Sequence, residues 1–152
     1  MAVNPERRLG AERGIALTEV ALVLPLFLIL FIGTIDFCRI FYAANAMTHA
    51  ARAGVQYGAQ DNATAVDTAG MKKAALDAAT DLGDPSLFTV TPTFFCKCSN
   101  GSSVSCVTGT CAEGLPRIYV QVMVQKTFHT LVSYPGIPST TDLTRTAVMR
   151  AQ

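Results

Sequence analysis

The residues best suited to covalent chemistry are four cysteines in one stretch, Cys96, Cys98, Cys106 and Cys111. Such a set either closes two disulfides or holds a zinc ion. The C-x-C and C-x4-C spacing is a poor match to the C-x2-C pairs of structural zinc sites. In a strand, Cys96 and Cys98 share a face and are too close to bridge to each other, so each pairs with Cys106 or Cys111. A strand–loop–strand reading predicts nested bridges, Cys98–Cys106 inside Cys96–Cys111. Each bridge contributes about 2–3 kcal/mol by loop closure. Cys38 stands apart, either as a small buried apolar residue or as a thiol that links subunits side by side. His49 and His129 have no acid or cysteine at ligand or triad spacing, Ser133 lacks a nucleophile elbow, and no glycine-rich phosphate loop occurs. The sequence therefore predicts no enzyme, no metal site and no cofactor.

One carboxylate has unusual surroundings. Glu19 lies in an apolar run of about 21 residues, Ile15 to Ile35, preceded by Gly14 and a short charged stretch. As a helix this run spans about 31 Å, against a hydrocarbon core of about 30 Å. A cleaved secretory signal has a shorter apolar core with its small-residue site after it, not before it. Arg7, Arg8 and Arg13 precede the run, and only Arg39, beside Asp36, is close on the far side. The positive-inside rule puts the N-terminus in the cytoplasm and residues 37–152 outside. Phe37, Phe41 and Tyr42 fit an aromatic belt at the outer interface. Outside the cytoplasm the compartment is oxidising, which favours disulfides over zinc.

Net charge is +1 over the 152 residues, and nine basic side chains face nine acidic ones beyond residue 14. A neutral domain without a basic cluster argues against nucleic acid as a partner. A little under 120 residues follow the span, enough for one small domain.

Helical character continues past the run to about Ala59, with Ile40, Phe41, Ala44, Met47, Ala51 and Val55 on one face. Ala46, Ala50, Gly54 and Gly58 form a ladder of small residues. It lets the protein's own sheet or second helix pack closely, the favoured reading, or serves a contact between subunits. Gln60 to Ala63 reads as a turn. A second helix is predicted over residues 64–82, with Val66, Ala69, Leu76 and Ala79 inward, ended by Gly83, Asp84 and Pro85. The period then becomes two. Phe88, Val90, Phe94, Cys96 and Cys98 alternate with polar residues in a first strand, whose Pro92 marks an edge or a bulge. Ile118, Val120, Val122 and Val124 mark a second strand, and a third runs over about 142–150 after a loop from Phe128 to Thr141. Helices before strands predict an α+β domain with a three-stranded antiparallel sheet and a disulfide-stapled hairpin.

The stretch Gly14-Ile15-Ala16-Leu17-Thr18-Glu19 before an apolar helix resembles the processing site of type IV pilins. Ala21-Leu22-Val23-Leu24-Pro25-Leu26, Asp36-Phe37-Cys38-Arg39-Ile40-Phe41-Tyr42 and Ala50-Ala51-Arg52-Ala53-Gly54 resemble the TadE-like pseudopilins of the Flp (Tad) tight-adherence pilus. Ala147-Val148-Met149-Arg150 follows the pattern loosely, and Val20 stands where many relatives carry Phe. The resemblance is specific over about residues 13–60. It implies a minor pilin for surface attachment and biofilm formation, set in the bacterial inner membrane with its C-terminal domain in the periplasm. A prepilin peptidase would cut between Gly14 and Ile15 and remove a cytoplasmic leader, residues 1–14. Residues 15–36 would remain as the membrane helix. Glu19 would register the subunit against other Tad pseudopilins, the major pilin and the inner-membrane platform. The plainer reading of Glu19 is an acid in a first helical turn, favourable to the macrodipole. The alternative function is an uncleaved single-pass anchor for a disulfide-stapled binding domain.

Overall fold

The computed structural model describes residues 6–80, 87–112, 114–132, 136 and 138–152, with side chains described from residue 17 onward. The chain divides into two compact units, Met1–Arg39 and Ile40–Gln152. Helix α1, Glu6–Gly58, contributes to both. It begins nine residues before Ile15, so the helix includes Gly14 instead of starting after it.

In the second unit α1 supplies Ala43, Ala44, Met47, Ala50, Ala51 and Val55 to the core. Phe41, expected on this face, is 61% exposed. The ladder of small residues meets the protein's own sheet and third helix. A Cβ added at Gly54 would lie 3.0 Å from the Met71 carbonyl oxygen and 3.0 Å from Val122, and one at Gly58 would meet Met71 and Val120. A backbone oxygen cannot move aside as a side chain can. Gly54→Val is therefore expected to destabilise the domain by about 1–3 kcal/mol through overpacking. Gln56→Val, on the exposed side of the same helix, should cost under about 1 kcal/mol. Thermal melts of the full chain in detergent check the difference.

The predicted second helix is two. Helix α2 spans Asn62–Val66 and α3 spans Thr68–Asp77. Asp61 caps α2 in a capping box with Thr64, whose backbone N–H donates to its carboxylate at 2.7 Å. Asp67 ends α2 and caps α3 by accepting from the Gly70 N–H at 2.9 Å. This break shifts the helical phase. Ala65, Met71, Ala75 and Ala79 are buried, whereas Val66 is 52% exposed and Ala69 lies outside. The stop at Gly83, Asp84 and Pro85 lies outside the described residues.

Tyr57 ties α1 to this cap, its hydroxyl donating to the second Asp67 oxygen at 2.8 Å. Gly70 is small because the Tyr57 ring lies where its Cβ would be. The Gly70 N–H, then the Tyr57 hydroxyl, hold the Asp67 carboxyl below its ordinary range, and the Thr64 N–H does the same to Asp61. A depressed carboxylate pKa stabilises the fold above the unfolded value, about 3.9, and that contribution fades as pH falls through the folded value. The domain should therefore melt at a lower temperature once pH drops below about 4. In Asp67→Asn part of that acid dependence should be gone, which melts across the acid range would detect.

The sheet has four strands, not three, in the order β2-β1-β3-β4: β1 Thr89–Lys97, β2 Ser103–Val104, β3 Arg117–His129 and β4 Thr140–Arg150. All pairings are antiparallel. The two residues of β2 are too few to show a period, which is why they read as loop. Val90, Val120, Val122, Val124, Phe128 and Leu143 face the helices, while Phe94 is 40% exposed. β1 pairs with β2 only through Cys96 and Lys97, so its outer side is free at Pro92. β3 and β4 extend into the predicted loop and close where the Thr130 N–H donates to the Ser139 carbonyl. Ser133 and Pro135 lie outside the described residues.

The disulfides are Cys96–Cys106 and Cys98–Cys111, with Cα separations of 5.2 and 5.6 Å. They interleave, in place of the nested pairing. The hairpin turns directly after Cys98, at Gly101 with φ 87°, and the Cys98 N–H donates to the Ser102 carbonyl. Val104 then lies opposite Cys96. Cys106 is one diagonal step from Cys96 but two from Cys98, so the outer cysteine takes it. Cys98, at the turn, is left to the returning loop that carries Cys111.

Candidate functional site

From Leu17 onward α1 is long and apolar enough to cross a membrane. Its apolar side chains find almost no cover within the chain. Leu17 is 71% exposed, Leu22 80%, Phe27 64% and Phe31 66%. In a soluble helix one stripe would be buried, so exposure all round is compatible with a single-pass membrane anchor. One polar group of the run is satisfied within the helix. The Thr34 hydroxyl donates to the Leu30 carbonyl one turn back, at 2.8 Å. At the end of the run Asp36 is buried and receives the Arg39 guanidinium at 2.9 Å. The charges of this boundary are thus paired within one turn, at i and i+3.

Glu19 is exposed, at the head of a stripe that continues through Val20, Val23, Leu24 and Phe27 and encloses a shallow concavity. Pro25 lies within the same turns of the helix, on the face opposite this stripe. Without an N–H, it leaves the Ala21 carbonyl without its usual partner four residues on. Carboxylate, concavity and Pro25 therefore occupy three consecutive turns of the helix.

The segment with these properties matches a known family: residues 14–56 fit the family model described as TadE-like protein. The chain carries a TadE-like segment. The match starts at Gly14, takes in Glu19, Pro25 and the Asp36–Arg39 pair, and ends where α1 packs on the sheet. No curated protein and no solved structure matches the chain.

The other predicted site residues fall elsewhere. The side chains of Arg7, Arg8, Arg13 and Ile15 lie outside the described ones. Cys96, Cys98, Cys106 and Cys111 are in disulfides, so their sulfurs are not zinc donors. Among the described residues no group of three or more His, Cys, Asp or Glu could hold a metal ion. Cys38 is a free thiol on the exposed side of α1, not a buried one. His49 and His129 are exposed.

Two clusters are not visible in the sequence. The Tyr57–Asp67–Gly70 lock joins residues from two helices. On the solvent face of the sheet, Phe95 and Tyr119 stack at 5.6 Å with Lys97 over the Phe95 ring. Only strand register unites these side chains, and neither composition nor period reports register.

Proposed function

We propose that this chain is a minor pilin of a Flp (Tad) pilus used for surface attachment. It inserts once in the inner membrane through residues 15–36, with its α+β domain on the periplasmic side. A prepilin peptidase cuts between Gly14 and Ile15 and removes the basic leader. The retained helix then joins the helices of other pseudopilins and of the major pilin on the inner-membrane platform. One observation carries the reading: between Leu17 and Ile35 the TadE-like helix leaves its apolar side chains largely exposed and has one carboxylate, Glu19, near the start of that stretch. Lipid gives no hydrophobic reward for helix association, so such a carboxylate is best explained by a polar partner in the assembly. The amine freed at Ile15 is a cation one turn away, available to Glu19 of its own or a neighbouring chain.

The role is structural, with no reaction to catalyse. The helix that runs unbroken through Gly14 from Glu6 favours one other reading, an uncleaved single-pass anchor for a disulfide-stapled binding domain. Gly14 itself argues the other way. Glycine costs a helix about 1 kcal/mol relative to alanine, so the backbone unwinds most easily at the point a peptidase must reach. The mass of the chain isolated from cells that contain the peptidase separates the two. A chain beginning at Ile15 is expected, and one that retains Met1 or Ala2 makes this an anchor.

A further inference from the structure

We propose that the solvent face of the sheet binds an extended anionic polysaccharide whose sugars carry carboxylates. The site is the end of the sheet nearest Ile118. There the strand register sets Lys97 of β1 opposite Arg117 of β3, and Phe95 opposite Tyr119, which lies opposite Arg150 of β4. These positions alternate with the buried valines, so all five project away from the helices. Three cations thus surround one aromatic pair on a flat face.

Charge complementarity names the occupant. Among the described residues none of the three cations has a carboxylate within ion-pair distance. The one acid in the four strands, Asp142, is at the opposite end of the sheet, hydrogen-bonded to Thr127. A cationic end with no acid among its described residues takes anions, and two arginines suit carboxylates, which they can grip with two parallel hydrogen bonds. Next along the same face Thr93 lies opposite Gln121. A hydroxyl and a carboxamide both donate and accept, as ligand hydroxyl groups require. Carboxylates interspersed with hydroxyls describe an acidic sugar chain.

The aromatic geometry argues against a nucleic acid. Base stacking needs open ring faces. Here Phe95 has Tyr119 on one face at 5.6 Å and the Lys97 ammonium 5.4 Å from its ring centroid. The pair instead stiffens the platform and spaces the cations. Position also fits a macromolecular ligand. Gly54 abuts Val122, Gly58 abuts Val120, and the Gln152 N–H donates to the Ala59 carbonyl. α1 therefore ends beside the patch, and the patch is at the end of the second unit remote from Ile40, where α1 enters.

The test is binding of the full chain in detergent to fluorescent polygalacturonate, with neutral dextran, polyglutamate and single-stranded DNA of matched charge as competitors. Polygalacturonate is expected to bind and dextran not to compete. Lys97→Gln/Arg117→Gln/Arg150→Gln should weaken binding at least tenfold. Thr93→Val/Gln121→Leu, with every charge intact, should weaken it at least threefold. Arg150→Gln alone, at an exposed position of β4, keeps the test valid should the triple variant fold poorly, and should weaken binding measurably. Competition by DNA or polyglutamate as strong as by polygalacturonate itself overturns the proposal, as does unchanged binding in the charge variants.

Discussion

Gly14→Leu is expected to leave a precursor about 14 residues longer in the membrane, with processing slowed at least tenfold. Two effects act together. A peptidase at the membrane face needs an extended backbone it can approach closely, and residue 14 must carry no side chain to obstruct it. Helix α1 already runs through this position. Replacing glycine by leucine strengthens that helix by about 0.8–1 kcal/mol, so the extended form becomes rarer as well as bulkier. Gly14→Ala separates the two. Alanine favours the helix as much as leucine but adds only a methyl group, so partial processing in that variant assigns the remaining defect to bulk. Arg7, Arg8 and Arg13 should hold the segment at the anionic inner leaflet in every variant, so insertion is unchanged. Mass measurement of wild type and both variants from cells that carry the peptidase decides the matter.

Glu19→Ala is expected to insert and to be cut normally, yet to lose crosslinking to partner pseudopilins by at least tenfold and to abolish piliation. An acid at the centre of a membrane helix costs about 2.5–3.5 kcal/mol on insertion scales for Asp, but Glu19 is only about 7 Å from the new N-terminus and costs less. Its removal therefore helps insertion slightly. What is lost is the polar group at the head of an exposed apolar stripe. Glu19→Gln keeps size and hydrogen bonding but not charge. If pairing with the Ile15 amine sets the register, Gln should fail as Ala does. Crosslinking and piliation at wild-type levels in Glu19→Ala would rule out an assembly role.

Much of this architecture is legible along the chain because it rests on local order. A run of apolar residues at bilayer length needs no tertiary contact to be a helix, since in lipid the backbone can satisfy itself only that way. The alternation of Ile118, Val120, Val122 and Val124 is a property of one strand with one buried face. The small-residue ladder at Ala50, Gly54 and Gly58 marks close packing, and packing against the chain's own sheet is the favoured reading of it. Where the pattern along the chain misleads, a distant contact or a single side chain overrides it. Asp67 breaks the predicted second helix because its carboxylate caps Gly70 and takes the Tyr57 hydroxyl from another helix. That one break moves the buried face from Val66 and Ala69 to Met71 and Ala75.

The sequence by itself determined the long apolar helix, the place of Glu19 near the start of its apolar run and the class of the domain that follows. All of these depend on composition and period over neighbouring residues. Only the tertiary structure decided which cysteines pair, because pairing depends on where the hairpin turns: one diagonal step separates Cys106 from Cys96 and two separate it from Cys98. It alone also brought Lys97, Arg117 and Arg150 to one end of a sheet. Residues 97, 117 and 150 are far apart along the chain, and antiparallel register, set by the burial of the valine face, makes them neighbours.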